Sequence, residues 1–288
     1  MFVESLRLNQ IETTKNYIES GSRKSSYSVF RLLLLGILGG AFIAFASEGS
    51  NVAIHTISSV GLAKALAGAL FSTGLMMVVL SDAELFTGSM LMIIPCLGRN
   101  YKANRLIRNW VVIYLGNFIG SLLIVIFIIL SGQFGFSGGM LGAFTIKVAA
   151  AKVSLSFINA FFMGILCNWL VCMAVWLAAS AKDVGGKILA IFFPIWLFIT
   201  SGFEHSVANM YYIPAGILAK ANPDYVRQAA AMGVTSDALG KLNWGSLFTL
   251  NLIPVTLGNM VGGILFVGIM FWLSLRCNDK NVVCKGNE

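Results

Sequence analysis

The stretch Asn109-Trp-Val-Val-Ile-Tyr-Leu-Gly-Asn-Phe-Ile-Gly-Ser-Leu-Leu123 returns without gaps as Asn251-Leu-Ile-Pro-Val-Thr-Leu-Gly-Asn-Met-Val-Gly-Gly-Ile-Leu265, 142 positions later and with six identities in fifteen. Self-similarity at half-chain spacing marks a protein built from two copies of one unit. Around the two copies, six stretches are apolar over about 20 residues, the length that crosses ~30 Å of hydrocarbon. They run over 29–47, 62–81, 110–130, 157–180, 188–201 with a continuation to 218, and 247–275. Each unit thus holds three spans. A unit with an odd number of spans inserts upside down relative to its copy, so the sequence predicts an all-α polytopic membrane protein of two inverted three-helix repeats, about 28–131 and 152–275. Residues 1–27 form an N-terminal arm before this 28–275 domain, and 276–288 a tail after it.

Composition agrees. The 288 residues are 57% hydrophobic and 11% charged, with a mean hydropathy of +0.82, far from the roughly 25% charge of a soluble domain. The net charge of +8 could suit nucleic acid, but the basic residues lie in connections between spans and not on one soluble face. Fourteen Lys and Arg fall in the arm, the second-to-third and fourth-to-fifth connections and the tail, against six on the opposite side. That bias puts both termini in the cytoplasm. The arm has no apolar run long enough for a secretory leader, so none is expected. Its Ile11, Tyr17 and Ile18 are spaced as one helix face and suit a docking helix or a gate at the cytoplasmic mouth. Five cysteines (96, 167, 172, 277, 284) lack a CxxC pair or a nearby His, so no disulfide framework, metal or cofactor is expected.

Two spans are interrupted in matching places. Ser81-Asp-Ala-Glu-Leu-Phe-Thr-Gly-Ser89 breaks the second, and 200–205 breaks the fifth. At such a break the downstream half-helix begins with unpartnered N–H groups and the positive end of its dipole, which favour an anion. Thr87 adds a hydroxyl, Asn168 an amide in mid-span four, and His205 a ring able to exchange a proton near neutral pH. His205 and Asn209 stand four apart, on one helix face. A buried histidine satisfied by Glu204 or by carbonyls is the plainer alternative. Ionisable groups at lipid depth cost several kcal/mol, however, and the paired breaks favour function. Glu204 itself is suited to pairing or capping. His55 reads as a surface residue. Gly116, Gly120, Gly258 and Gly262 form GxxxG patterns, read here as close helix packing. Phe71, Leu75, Leu85, Phe86 and Phe198 flank the breaks; such residues are usually core, but lining a pore they would form dry rings.

At these residues the chain resembles the formate/nitrite transporter family, which includes hydrosulfide channels. The resemblance is carried by Ala83-Glu-Leu-Phe-Thr-Gly88, by the span-four string from Gly164 to Trp176, by Ser201 to Met210 and by Asn251 to Asn259. It implies an aquaporin-like six-helix protomer, with helices 2 and 5 broken, assembled as a homopentamer in the bacterial cytoplasmic membrane with one pore per protomer. It implies that Thr87 and His205 form the central gating and proton-exchange pair, with Asn168 close by. Leu85 and Phe198 would form the periplasmic constriction, and Phe71, Leu75 and Phe86 the cytoplasmic one. Lys152 and Lys24 would draw formate, nitrite or hydrosulfide into the two vestibules, protons being the second partner. Two features depart from the family pattern: the glycine-rich connection 131–151 and Asp82 where a small residue is common.

Two other functions compete. Gly135-Phe-Ser-Gly138 fits the GxSG of intramembrane serine proteases, with Ser137 as nucleophile and His205 as base, but the two should lie far apart. An aquaporin-type channel for neutral solutes should carry Asn-Pro-Ala at both half-helix starts, whereas Asn222-Pro223 is the only Asn-Pro here.

Overall fold

A computed structural model describes residues 6–278. The tail from 279 onward, with Cys284, lies outside the described residues. Among them there is no strand, only an isolated bridge of Arg7 with Ala181.

Among the described residues, eleven α-helices precede one long final helix. α1 (Gln10–Ser25) opens on a capping box in which Asn9 and Glu12 bond each other's backbone N–H. α2 (Val29–Ile54), α3 (Val60–Leu80), α5 (Ala103–Leu130) and α7 (Phe157–Ser180) are long and apolar enough to cross a membrane, as is the final helix α12 (Trp244–Leu275). After α3 a 3₁₀ turn (Gly88–Met92) runs into the five-residue α4 (Ile93–Leu97). α8 (Val184–Thr200) and α9 (Ser206–Ala219) together make the broken fifth span. Short α10 (Pro223–Ala231) and α11 (Ser236–Lys241) follow; Asn222 caps α10 with Pro223 in its first turn, so the Asn-Pro pair serves a surface helix. α12 is interrupted by π-helical stretches at Leu247–Leu252 and Ile264–Ile269.

One region differs from the sequence expectation. The glycine-rich connection at 131–151 is largely helix: α6 (Met140–Val153) follows a turn at Gln133–Gly139, and Gln133–Val153 together is long and apolar enough to cross a membrane, though less apolar than the spans. The glycines mislead because all but Gly142 lie in or before the turn, where Gly132, Gly138 and Gly139 take positive φ. α6 is the counterpart of α1: each precedes the first long helix of its repeat.

The repeat is visible atom by atom. Glycines bring α5 onto α2 and α12 onto α7. A Cβ on Gly120 would lie 2.0 Å from the Ile37 carbonyl, and one on Gly258 would lie 2.1 Å from the Phe161 carbonyl. Backbones this close leave room for nothing larger than hydrogen. Tyr114 Oη bonds Thr256 Oγ1 at 2.9 Å, and these two residues are 142 apart. Each is the other's counterpart in the repeat, so the pseudo-two-fold axis passes between them. Outward faces are apolar, with Leu115, Phe127 and Phe162 among the exposed side chains, as suits a lipid-facing surface.

Candidate functional site

The two breaks are held by one set of brackets used twice. At the first, Asn117 Nδ2 donates to the carbonyls of Gly36 (2.7 Å) and Glu84 (2.9 Å), while its Oδ1 accepts the Phe86 N–H (2.9 Å). At the second, Asn259 Nδ2 donates to the carbonyls of Gly164 (2.8 Å) and Glu204 (3.0 Å), and its Oδ1 accepts the Ser206 N–H (2.9 Å). The backbone N–H of Glu84 reaches Leu35 O (3.1 Å), and that of Glu204 reaches Met163 O (3.4 Å). Non-helical backbone at membrane depth survives only when its polar groups are satisfied by protein in this way.

Each bracketed glutamate pairs with a lysine from the preceding short helix. Lys24 Nζ of α1 lies 3.0 Å from Glu84 Oε1, and Lys152 Nζ of α6 lies 2.9 Å from Glu204 Oε1. Asn109 Nδ2 and Asn251 Nδ2 bond the carbonyls of those same lysines, at 2.9 and 3.0 Å. Both glutamates are buried, and Glu204 has the more partners, accepting also from Asn209 Nδ2 (2.6 Å) and Asn251 Nδ2 (3.4 Å). The expectation that Glu204 pairs holds. Sequence reasoning misses the lysine partners and the asparagine brackets, although four of the six repeat identities are these asparagines and their glycines.

Between the breaks the two half-helix caps meet. Thr87 is the residue before the 3₁₀ turn and His205 caps α9; Thr87 Oγ1 and His205 Nε2 are 2.9 Å apart, and both residues are buried. His205 Nδ1 accepts the Ala208 N–H at 3.0 Å. A backbone N–H only donates, so Nδ1 carries no proton and in the neutral ring the proton sits on Nε2. Nε2–H then donates to Thr87, whose own hydroxyl proton is free for a third partner. The fourteen-residue α9 brings a helix dipole to this point; the first break brings only the short 3₁₀–α4 segment, so the two positive ends expected from the sequence are unequal.

Asn168 lies at this meeting point, but as a bracket: its Nδ2 donates to the carbonyls of Thr87 (3.2 Å) and Asn259 (2.7 Å). Cys172 Sγ, one turn on, reaches Thr87 O at 3.4 Å. Asn209 Nδ2 donates to Glu204 and to Asn251 Oδ1 (2.7 Å).

The apolar residues group differently from the expected constrictions. Phe198 meets Phe71 edge to face with ring centres 5.7 Å apart, and its centre is 6.0 Å from that of His205. Leu75 and Leu85 line one cavity of about 420 Å³ on the α1 side, with Tyr17, Lys24 and Glu84. Phe86 turns to Tyr114 of α5 at 4.8 Å. The physical reason is depth: Phe71 and Leu75 are one turn apart on α3, so only the former reaches the α8 ring. α1 docks over this cavity, with Tyr17 stacked on Trp176 at 6.0 Å and Gly21 against Pro95. Burial, aided by nearby Cys172 and Glu84, pushes the Tyr17 hydroxyl well above its usual pKa and keeps it neutral.

Ser137 does not meet His205. Its Oγ is 2.8 Å from His55 Nε2, and His55 Nδ1 is held by Val52 O at 2.7 Å. His55, expected as a plain surface residue, is a latch between the end of α2 and the turn before α6. No group of three or more metal-ligating side chains occurs among the described residues.

Inverted halves, a broken span in each, and polar caps joined at the centre define a membrane transport protein of the inverted-repeat class. The family profile described as "Formate/nitrite transporter" matches residues 11–273. The formate channel FocA of Haemophilus influenzae is 38% identical over 271 residues, 93% of this chain and 94% of that protein. A solved pentameric formate channel with formate bound is similar in structure, with a TM-score of 0.75 at 36% identity over 85% of this chain and 97% of that one. A second solved structure, an FNT family ion channel, gives 0.77 at 25% identity over 91% and 98%. The chain belongs to the formate/nitrite transporter family.

Proposed function

We propose that this chain forms a membrane channel for small monovalent anions of weak acids, formate first, assembled as a homopentamer with a pore in each protomer. Its family, the formate channels among its relatives and the solved pentamer it resembles all support this reading. The observation that carries it is the 2.9 Å bond joining Thr87 to His205. That bond fixes a donor hydroxyl where two interrupted helices meet, and lipid-depth polarity of this kind is expensive unless used.

On this reading, Lys24 and Lys152 raise the anion concentration at the two mouths. The glutamates to which they are paired keep them in place and keep the anion from staying bound. Leu75 and Leu85 on one side, and Phe71 and Phe198 on the other, form dry rings that remove water from the ion. At the centre the Thr87 hydroxyl donates to the anion while His205 Nε2–H orients that hydroxyl and the end of α9 adds its dipole. An anion protonated there would cross the next ring as the neutral acid, so protons are part of the proposal. The α1 side, rich in basic residues, faces the cytoplasm, as do both termini, in the membrane of a bacterium; the six spans of 28–275 form the channel domain.

Formate, nitrite and hydrosulfide flux into proteoliposomes at several pH values tests this. A hydrogen bond to a charged group is worth about 1.5–3 kcal/mol, so Thr87→Ala and His205→Phe should each lower formate flux roughly tenfold to a hundredfold. Wild-type rates in both variants would remove the central site from the account.

A further inference from the structure

The inverted repeat supplies an internal control for residues that the scaffold does not need. α2 and α7 begin alike: Ser28 Oγ accepts the Arg31 N–H and Ser156 Oγ accepts the Asn159 N–H, both at 3.2 Å. Around the first cap stand Arg23 and Arg31; their counterparts 128 positions later are Ala151 and Asn159. The same architecture therefore folds without the guanidiniums. Among the described residues no carboxylate forms an ion pair with either arginine, and Arg31 instead lies over the Tyr27 ring at 3.8 Å.

With Lys24 and the hydroxyl-bearing Ser26 and Ser28, these arginines line an open cavity of about 770 Å³, whose described lining holds Asp82 as its one acidic residue. The apolar start of α2 fixes the depth of this cavity in the membrane. Val29, Phe30 and Leu34, on the outward face of the first two turns of α2, are 52%, 70% and 46% exposed while Leu32 is buried, so a lipid-facing surface starts directly at the edge of the cavity. A basic recess where a helix passes from water into hydrocarbon lies at headgroup level. Guanidinium forks match the oxygens of a phosphate in pairs, and serine hydroxyls add single donors.

The geometry points to a binding site for the phosphate headgroup of an anionic phospholipid, held by Arg23, Arg31 and Ser28 with its acyl chains along Phe30 and Leu34. Arginines placed only to orient the chain in the membrane would need charge but no recess between them. The inference rests on the membrane reading; Arg23, Lys24 and Asp82 also line the cavity beneath α1, and it is Arg31 and Ser28 that belong to this recess and not to that cavity.

Native mass spectrometry of the purified oligomer, titrated with phosphatidylglycerol or phosphatidylcholine, tests it. The wild type should retain phosphatidylglycerol preferentially, and R23Q/R31Q should bind it about thirtyfold more weakly, at roughly fivefold per cation near an anionic surface. Equal retention by the double variant overturns the site. Inorganic phosphate at the same concentration should not displace the lipid; if it does so mole for mole, the site takes a soluble anion and the lipid assignment falls. Should R23Q/R31Q fail to insert, R23K/R31K keeps the charge and loses the paired donors, and retention equal to wild type would again overturn the proposal. Formate flux through R31Q in neutral liposomes should match wild type whether or not the central site conducts as proposed; a loss there would move Arg31 into the permeation path and overturn the lipid assignment.

Discussion

The first and second breaks share a frame and differ in what the frame carries. Asn117 and Asn259 make the same three bonds to equivalent partners, and Lys24 and Lys152 reach equivalent glutamates. The residue after the glutamate, however, is Leu85 in one half and His205 in the other. Leu85 joins Leu75 in the wall of the cavity beneath α1, whereas His205 caps a fourteen-residue helix and holds Thr87. A duplicated scaffold can be kept symmetric because packing and backbone satisfaction demand it, and chemistry is then placed on one copy only. The same division separates the start of α2, with Arg23 and Arg31, from the start of α7, where Ala151 and Asn159 stand in their places.

The symmetric part of this comparison breaks most severely at the bracket. Asn117→Ala and Asn259→Ala each leave the glutamate carbonyl and one N–H unpartnered at membrane depth and strip a second bond from a helical glycine carbonyl, so each should lose about 3 kcal/mol or more, and by similar amounts. Thermal melts in detergent check this, and a mild effect at one break alone would deny the equivalence. The glutamates should then sharpen the difference. Glu204→Gln disturbs Lys152, Asn209 and Asn251 together, while Glu84→Gln disturbs chiefly Lys24, which is 27% exposed against 16% for Lys152. Losses of about 3 and about 1 kcal/mol are expected, in that order, from the same melts. A smaller effect belongs to the axis. Tyr114→Phe and Thr256→Val should each cost about 1 kcal/mol, and the double variant no more than either alone, because both remove one bond. Additive losses would mean that the pair does not interact. Least of all, Tyr17→Leu should remove the stacking on Trp176, worth about 0.5–1.5 kcal/mol, and raise proteolysis of α1 without changing the melting of the spans.

Much of this architecture is legible in the chain. Span lengths, the breaks at 81–89 and 200–205, and the match of 109–123 to 251–265 are local or periodic signals, readable because lipid imposes length and because a repeat preserves its bracket residues. The short helix α6 is not legible, since its fourteen residues, with Lys147 and Lys152 among them, follow glycines that look like a loop. Nor do Asn117 and Asn259 declare themselves as brackets. An asparagine inside an apolar span announces a buried polar need, but not which carbonyls it serves.

What the sequence determined by itself is the membrane habit, the inverted duplication and the position of the polar residues along the chain, because those follow from hydropathy, parity and spacing. What only the tertiary structure decided is pairing. Phe198 with Phe71 instead of Leu85, and Ser137 with His55 instead of His205, depend on contacts between segments as much as 127 residues apart. Such contacts are fixed by the depth and rotation of packed helices, and one-dimensional order carries neither.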